Sequence, residues 1–474
     1  MPETPQPQAQ PKSRGKARIV IRVVLLVLLL LLALPFTLYI PVVQDFVCRQ
    51  AVAWLNTTSD DLEYQVGQVR LGFPLKLKVN DVSVLKRKDG SPLVSVGSLR
   101  TGLDDIPWDQ PYFVVNNLEV LDVVLGMDTL TESFGISGEV EKLEISHIEV
   151  DPMTSHLRIA RVHLHEPDVK LSLGPSTEEE DDDDEPGWFV SVKQVDLHDG
   201  HVRYNLSEQS LISAIAYDSI PQYLDYNHLE VAGINLAARD IIYDTHLIRA
   251  TVEDFKATET YSGLEITKLA TLFEMEDNEI RVNDLDLQLA NGALLQGNVQ
   301  TDIAILDSLH NGYLNAALQC KMDSGNLIRL AAPYLPNLKP CWEGRMLSLD
   351  VQGRVTGDSL DLRRLDVLID NDLDLKAEAF GLNPFDNDQR QIAATLKTEL
   401  NHADYVLSSF VDVPSKRMYR LPDSLAIDLE ASQRQQQFTA RLDMRQQERD
   451  VLGAEGSYEL NKESYHISAN TTGL

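Results

Sequence analysis

The sequence predicts a mainly β protein: an N-terminal transmembrane helix, then an elongated antiparallel β-sheet of repeating β-hairpins with few short helices. Three observations carry this. One uncharged apolar run stands near the start. From Val66 onward apolar and polar residues alternate with period two, the mark of half-buried strands. A degenerate motif of apolar-x-Leu, a turn, and apolar-x-apolar then recurs along the chain.

Residues 1–18 are rich in Pro, Gln and Lys and read as a cytoplasmic tail without a core of its own. Residues 19–40 read as the membrane helix. Val23, Leu25, Leu28, Leu32 and Leu34 lie in an apolar stretch long enough for the roughly 20 residues a bilayer requires. Lys12, Arg14, Lys16, Arg18 and Arg22 precede it and no such cluster follows closely. The N-terminus is therefore expected inside and the bulk of the chain outside the inner membrane. A cleaved signal peptide is the competing reading. It would carry a small-x-small site, which Leu34-Pro-Phe-Thr-Leu-Tyr39 lacks.

Residues 41–56 follow a helical pattern, with Val43, Phe46, Val47, Ala51, Trp54 and Leu55 on one face and Pro41 in the first turn. Such a helix lies on lipid or packs against the next domain, and the pattern fits both. Residues 57–474 form the β-rich body. Leu157-Arg-Ile159, Val169-Lys-Leu-Ser-Leu173, Leu285-Asp-Leu-Gln-Leu289, Leu347-Ser-Leu-Asp-Val351, Leu373-Asp-Leu-Lys-Ala377 and Leu425-Ala-Ile-Asp-Leu429 all alternate. Lys88-Asp-Gly90, Ala290-Asn-Gly292 and Asp386-Asn-Asp388 supply turns. Helices are expected at 323–332, ended by Pro333, and at 401–410.

Val162-His-Leu-His-Glu-Pro-Asp-Val-Lys-Leu171 resembles Val195-Asp-Leu-His-Asp-Gly-His-Val-Arg-Tyr204, and both resemble Ile234-Asn-Leu-Ala-Ala-Arg-Asp-Ile-Ile-Tyr243. The sheet should therefore grow hairpin by hairpin. An acidic run, Glu178 to Glu185, falls between the first two copies. Residues 174–187 read as a disordered loop replacing an ordinary hairpin turn.

With 42 basic and 73 acidic residues the formal net charge is −31, which argues against nucleic acid as a partner. Three cysteines are too few for a disulfide scaffold. Cys320 and Cys341 read either as a pair or as two small core residues. Asn-x-Ser/Thr matches occur at Asn56, Asn205 and Asn470. The sequence has no phosphate-binding Gly-rich loop and no Gly-x-Ser-x-Gly elbow, so no enzyme activity and no cofactor are expected. His163 and His165 share a strand face, and His198 and His201 flank a turn. No ligand-spaced Cys or carboxylate set joins them, so no metal site is expected.

Tyr39-Ile-Pro-Val-Val-Gln-Asp-Phe46 after the anchor, Val66-Gly-Gln-Val-Arg-Leu-Gly-Phe-Pro-Leu-Lys-Leu-Lys-Val-Asn-Asp-Val-Ser-Val84, and Thr260-Tyr-Ser-Gly-Leu-Glu-Ile-Thr-Lys-Leu269 followed by Leu285-Asp-Leu-Gln-Leu-Ala-Asn-Gly292 appear in that order. The chain resembles the N-terminal part of a TamB (translocation and assembly module) protein of the AsmA-like superfamily, in its Bacteroidetes form. The resemblance implies a sheet curled into an open apolar groove across the periplasm, conducting phospholipid between inner and outer membranes. It also implies, in members with a further C-terminal part, an outer-membrane barrel partner; here the chain is expected to be truncated before that part. On alternation alone, the apolar face is either such a groove or the interior of a closed β-sandwich.

The residues expected to line the groove and meet acyl chains are Leu75, Leu77, Val79, Val162, Leu164, Val169, Leu171, Val195, Leu197, Leu285, Leu287 and Leu289. About 25 strands would give a sheet at most about 120 Å long. Two other functions fit the pattern: an assembly or secretion scaffold that pairs its edge with client strands, and a structural β-repeat stalk.

Overall fold

The computed structural model describes residues 37, 39–59, 61–72, 76–102, 113–127, 134–174, 187–206, 224–306, 311–331, 345–386, 388–402 and 423–471. The expected membrane span lies outside these residues except for Thr37, Tyr39 and Ile40. Among the described residues no helix is long and apolar enough to cross a membrane.

Helix α1 spans Pro41–Thr58. It is followed by β1 (Leu62–Gly72), β2 (Lys76–Lys86), β3 (Pro92–Gly102), β4 (Phe113–Met127), β5 (Phe134–Asp151), β6 (His156–Leu173) and β7 (Phe189–Leu206). Next come β8 (His228–Tyr243), β9 (Leu247–Glu259), β10 (Glu265–Glu276), β11 (Glu279–Leu289), β12 (Leu294–Asp302) and β13 (Tyr313–Asp323). After α2 (Ser324–Ala331) follow β14 (Met346–Thr356), β15 (Ser359–Ile369), β16 (Leu373–Leu382), β17 (Gln391–Asn401), β18 (Ser424–Arg434), β19 (Gln437–Gln446), β20 (Arg449–Glu459) and β21 (Ser464–Thr471).

All 21 strands among the described residues belong to one sheet. Each pairs with the next in the chain, so the sheet is open and curled, with β1 and β21 as its edges among the described residues. At roughly 4.8 Å per strand it measures about 100 Å along the hydrogen-bonding direction. Two of the expected turns hold: Gly90 (φ 70°) closes β2–β3, and Asn291 and Gly292 take positive φ between β11 and β12; the third includes Asn387, which lies outside the described residues. The expected helix at 323–332 is α2. Of the one at 401–410, Asn401 belongs to β17, and the rest lies outside the described residues apart from His402.

Two expectations are corrected. Strands β6 and β7 are parallel, with Val162 beside Val195 and Leu171 beside Tyr204. The chain between Leu173 and Phe189 therefore joins opposite ends of the pair, the long connection that parallel strands require, and is not a substituted hairpin. The two repeat copies consequently lie side by side in register.

The second correction concerns the turn inside each repeat copy. Glu166, Asp199 and Asp240 have φ of 46°, 50° and 53°, yet each sits within an unbroken strand. The same holds for Asp81 in β2 and Asp122 in β4. One left-handed residue inverts the alternation of side chains. Thus Val79 and Val82, which strict alternation would place on opposite faces, pair with Val69 and Val66 and stay on the apolar face.

Two buried clusters close one margin of the apolar face. Leu264, Leu289, Ala293, Cys320 and Met322 form the first, and Leu347, Ile369, Leu373, Leu400 and Leu425 the second. Leu327 of α2 packs against both, so this short amphipathic helix seals the seam between them.

Candidate functional site

Backbone pairing aligns apolar side chains strand after strand. In β1–β5 the row is Val69, Val79, Leu99, Val120 and Leu143. It continues through Leu164, Leu197, Leu236 and Phe255 in β6–β9. From β10 a row runs through Leu269, Leu287, Leu295, Cys320, Leu349, Val367 and Leu375. Thr398 is its one polar member before Ile427, Met444 and Leu452. Flanking rows repeat the theme, as in Ile145–Val162–Val195–Ala238.

The described residues among the expected lining set fall on this face, at different depths. Leu75 lies outside the described residues. Leu77 and Val79 sit under α1, where they enclose a cavity of about 380 Å³ with Val66, Val69, Leu71 and the helix residues Val47, Cys48, Ala51, Val52 and Leu55. Val162, Leu164, Val169, Leu171, Val195 and Leu197 are half-buried and belong to neither buried cluster. Leu285 is half-buried, and Leu287 packs against the first cluster. Leu289 is fully inside that cluster, at 4% exposure, and offers no open surface.

Helix α1 settles the question left by its pattern only in part. Cys48 and Val52 are the half-buried residues that α1 turns to the sheet, Val47 and Leu55 flank them at 49% and 38% exposure, and Phe46 and Trp54 are 57% and 65% exposed. Polar contacts fix this rotation. The Gln44 amide donates to the Leu71 carbonyl (2.9 Å), and Arg70 pairs with Asp45 at 2.6 Å. The Asn56 side chain both donates to the Tyr64 carbonyl (2.9 Å) and accepts from its N–H (2.7 Å). Asn56 is thereby a structural bracket, which explains its presence without a glycan.

The opposite face carries charge. Arg281 reaches Glu274 at 2.6 Å and Glu279 at 2.8 Å, and Arg249 also holds Glu274 at 2.6 Å. The two pairs to Glu274 lie on strand neighbours, where opposite charges favour the register, and Arg281 and Glu279 share one strand. Glu279 is pulled down to a pKa of about 2, chiefly by Arg281 and then by Gln300 and Tyr313.

The histidines do converge, contrary to expectation. His163 and His165 are stacked with centroids 4.4 Å apart, and the His198 ring stands 5.0 Å from His163. Glu144, directly across from His163 on β5, joins His163 and His165 in a set whose ligand atoms lie within 4.8 Å of one another, and His198 stands just beyond it. Burial, and then the adjacent His165 and His198, hold the His163 imidazole below its ordinary pKa. His201 is not part of the set, being engaged by Glu230 (3.0 Å) and Asp168 (3.3 Å).

Sequence reasoning missed Leu99, Val120, Leu143, Leu236 and Phe255. For Val120 the signal is a parity flip across a lone acidic residue, Asp122, which brings Val123 to the same face. Cys320 is a free thiol within the first cluster, and Cys341 lies outside the described residues. No known protein family, curated protein or solved structure matches the chain.

Proposed function

We propose that the chain is a membrane-anchored lipid conduit, holding phospholipid acyl chains along the apolar face of its open sheet, as the resemblance to TamB proteins implies. The reading rests above all on the apolar row from Val69 to Phe255, whose members at β6 and β7 remain half-exposed. A closed sandwich would bury such residues. An open sheet leaves their apolar surface at a cost of about 25 cal/mol per Å² unless something covers it.

Acyl chains suit that surface. Burying one methylene is worth about 0.8 kcal/mol, so moving a 14-carbon tail into water costs about 11 kcal/mol. A tail passing from Leu164 to Leu197 to Leu236 crosses neighbouring strands roughly 4.8 Å apart and never leaves apolar contact. The barrier is thereby divided into small steps that thermal motion crosses. No catalytic group, nucleotide or redox centre is required for that movement along the face. The anchor at 19–40 would hold the β1 end of the row at the inner membrane, with the body in the periplasm. The strongly negative chain would discourage the body from lying flat on anionic lipid.

The test is site-specific photocrosslinking in the full chain in its membrane. A photoreactive residue at 164, 197 or 285 should yield phospholipid adducts, identified by mass spectrometry, and one at 170 or 203 on the charged face should not. Crosslinks from the apolar positions to unfolded outer-membrane protein strands would favour the scaffold. An absence of both kinds of adduct would favour the stalk.

A further inference from the structure

On the charged face, away from the apolar row, the parallel junction gathers the histidines of two repeat copies. We propose that Glu144, His163, His165 and His198 form a binding site for a divalent metal of the zinc class, clipping β5, β6 and β7 together. The proposal is independent of the lipid reading.

The geometry arises from register. Residues two apart on a strand share a face, so His163 and His165 project together from β6. Parallel pairing sets His198 of β7 beside His165, and antiparallel pairing sets Glu144 of β5 beside His163. Had β7 followed β6 as a hairpin, its order along β6 would be reversed and this alignment lost. The Nε2 atom of His163 is buried and has no hydrogen-bond partner, a costly state for a nitrogen that a metal would satisfy.

The donor set selects the metal. Imidazoles with one carboxylate suit zinc and its borderline neighbours, whereas calcium and magnesium take mostly oxygen. Bonds of about 2.0 Å in a tetrahedron place ligand atoms about 3.3 Å apart. Glu144, His163 and His165 now lie within 4.8 Å of one another, so binding would draw these side chains, and that of His198 with them, inward. One charged group competes for Glu144. Lys142 holds Glu144 at 2.7 Å, and it also has Glu119 at 3.6 Å, to which it passes when Glu144 turns to the metal. Asp196, beside His163 on β7, adds negative charge facing the site and is engaged by the Gln194 amide at 2.9 Å.

A function follows from position. The β6–β7 pair is joined by no tight turn, and parallel pairing is slightly weaker per residue than antiparallel. A metal bound across three strands would fasten the sheet there and stabilise the folded state by mass action.

The test uses the full chain in detergent, titrated with zinc against a chromophoric chelator. One site of micromolar or tighter affinity is expected. Replacing both His163→Ala and His165→Ala should weaken it at least about 100-fold, since loss even of a group supporting a ligand costs 10- to 100-fold. His246→Ala, distant in sequence and paired with Asp277, should leave it unchanged. Wild-type protein supplies a check that needs no variant. Zinc should protect His163, His165 and His198, and not His246, from diethyl pyrocarbonate, read by peptide mass spectrometry. Zinc binding that survives the double substitution, protection that is uniform, or no binding at all would each overturn the proposal.

Discussion

Asp122 turns left-handed opposite Gly97, and a Cβ placed on Gly97 would stand 3.0 Å from the Cβ of Asp122. Gly67 has the same relation to Asp81, at 2.9 Å. At Asp81 and Asp122 the kink that keeps apolar residues on one face thus requires a glycine on the neighbouring strand. Gly97→Val should lower stability by about 1–3 kcal/mol through overpacking. Gly102→Val, where nothing lies within 4 Å, should change it by less than about 0.5 kcal/mol. Thermal unfolding of both variants, followed by far-ultraviolet circular dichroism, compares them. Equal midpoints would refute the steric coupling.

Leu164 and Leu197 are neighbouring rungs of the apolar row. Leu164→Asp combined with Leu197→Asp should abolish lipid transfer between vesicles while strand content persists, because each carboxylate interrupts the row at adjacent strands. Lys170→Asp on the charged face should transfer normally. Undiminished transfer by the folded double variant would count against conduction along this face.

Cys320 is 8% exposed, and burial pushes its thiol up to about 11. Since the thiolate is the nucleophile, alkylation at pH 8 should be at least about 100-fold slower in the folded chain than in denaturant. Time-resolved maleimide labelling with peptide mass spectrometry measures it. Fast labelling of the folded protein would mean that the first cluster opens readily.

Glu279 gives a pH dependence of defined sign. Its folded pKa of about 2 lies below the ordinary value of 4.5, so the Arg281 contact stabilises the fold above the ordinary value. That contribution fades as pH falls through the interval and is lost near pH 2. The midpoint difference between wild type and Glu279→Gln should therefore be largest at pH 6 and shrink towards pH 2. A difference that stays constant with pH would exclude the carboxylate as its source.

Much of the architecture was legible because β-strands are marked locally. Period-two alternation at Leu285–Leu289 or Leu425–Leu429 needs no partner to be recognised, and each segment is indeed a strand. Kinks were harder to read, since Asp199-Gly200 composes a turn as well as it composes a bulge. Only continued pairing on both sides of the kink separates the two outcomes. The rotation of α1 was hidden too. Its apolar residues wrap more than one face, and the turning of Cys48 and Val52 towards the sheet depends on Gln44, Asp45 and Asn56 meeting β1.

The sequence by itself determined that this is a strand-rich chain with one apolar and one charged sheet face, because side chains two residues apart share an environment whatever their neighbours are. Tertiary structure alone decided which strands adjoin, and thereby how the rows line up. The parallel seam at β6–β7, the sheet that does not close, and the meeting of Glu144 with His163, His165 and His198 all follow from pairing between residues distant in sequence. Such pairing is fixed by the sum of many cross-strand contacts and by the connections that permit them, and no short stretch of the chain encodes it.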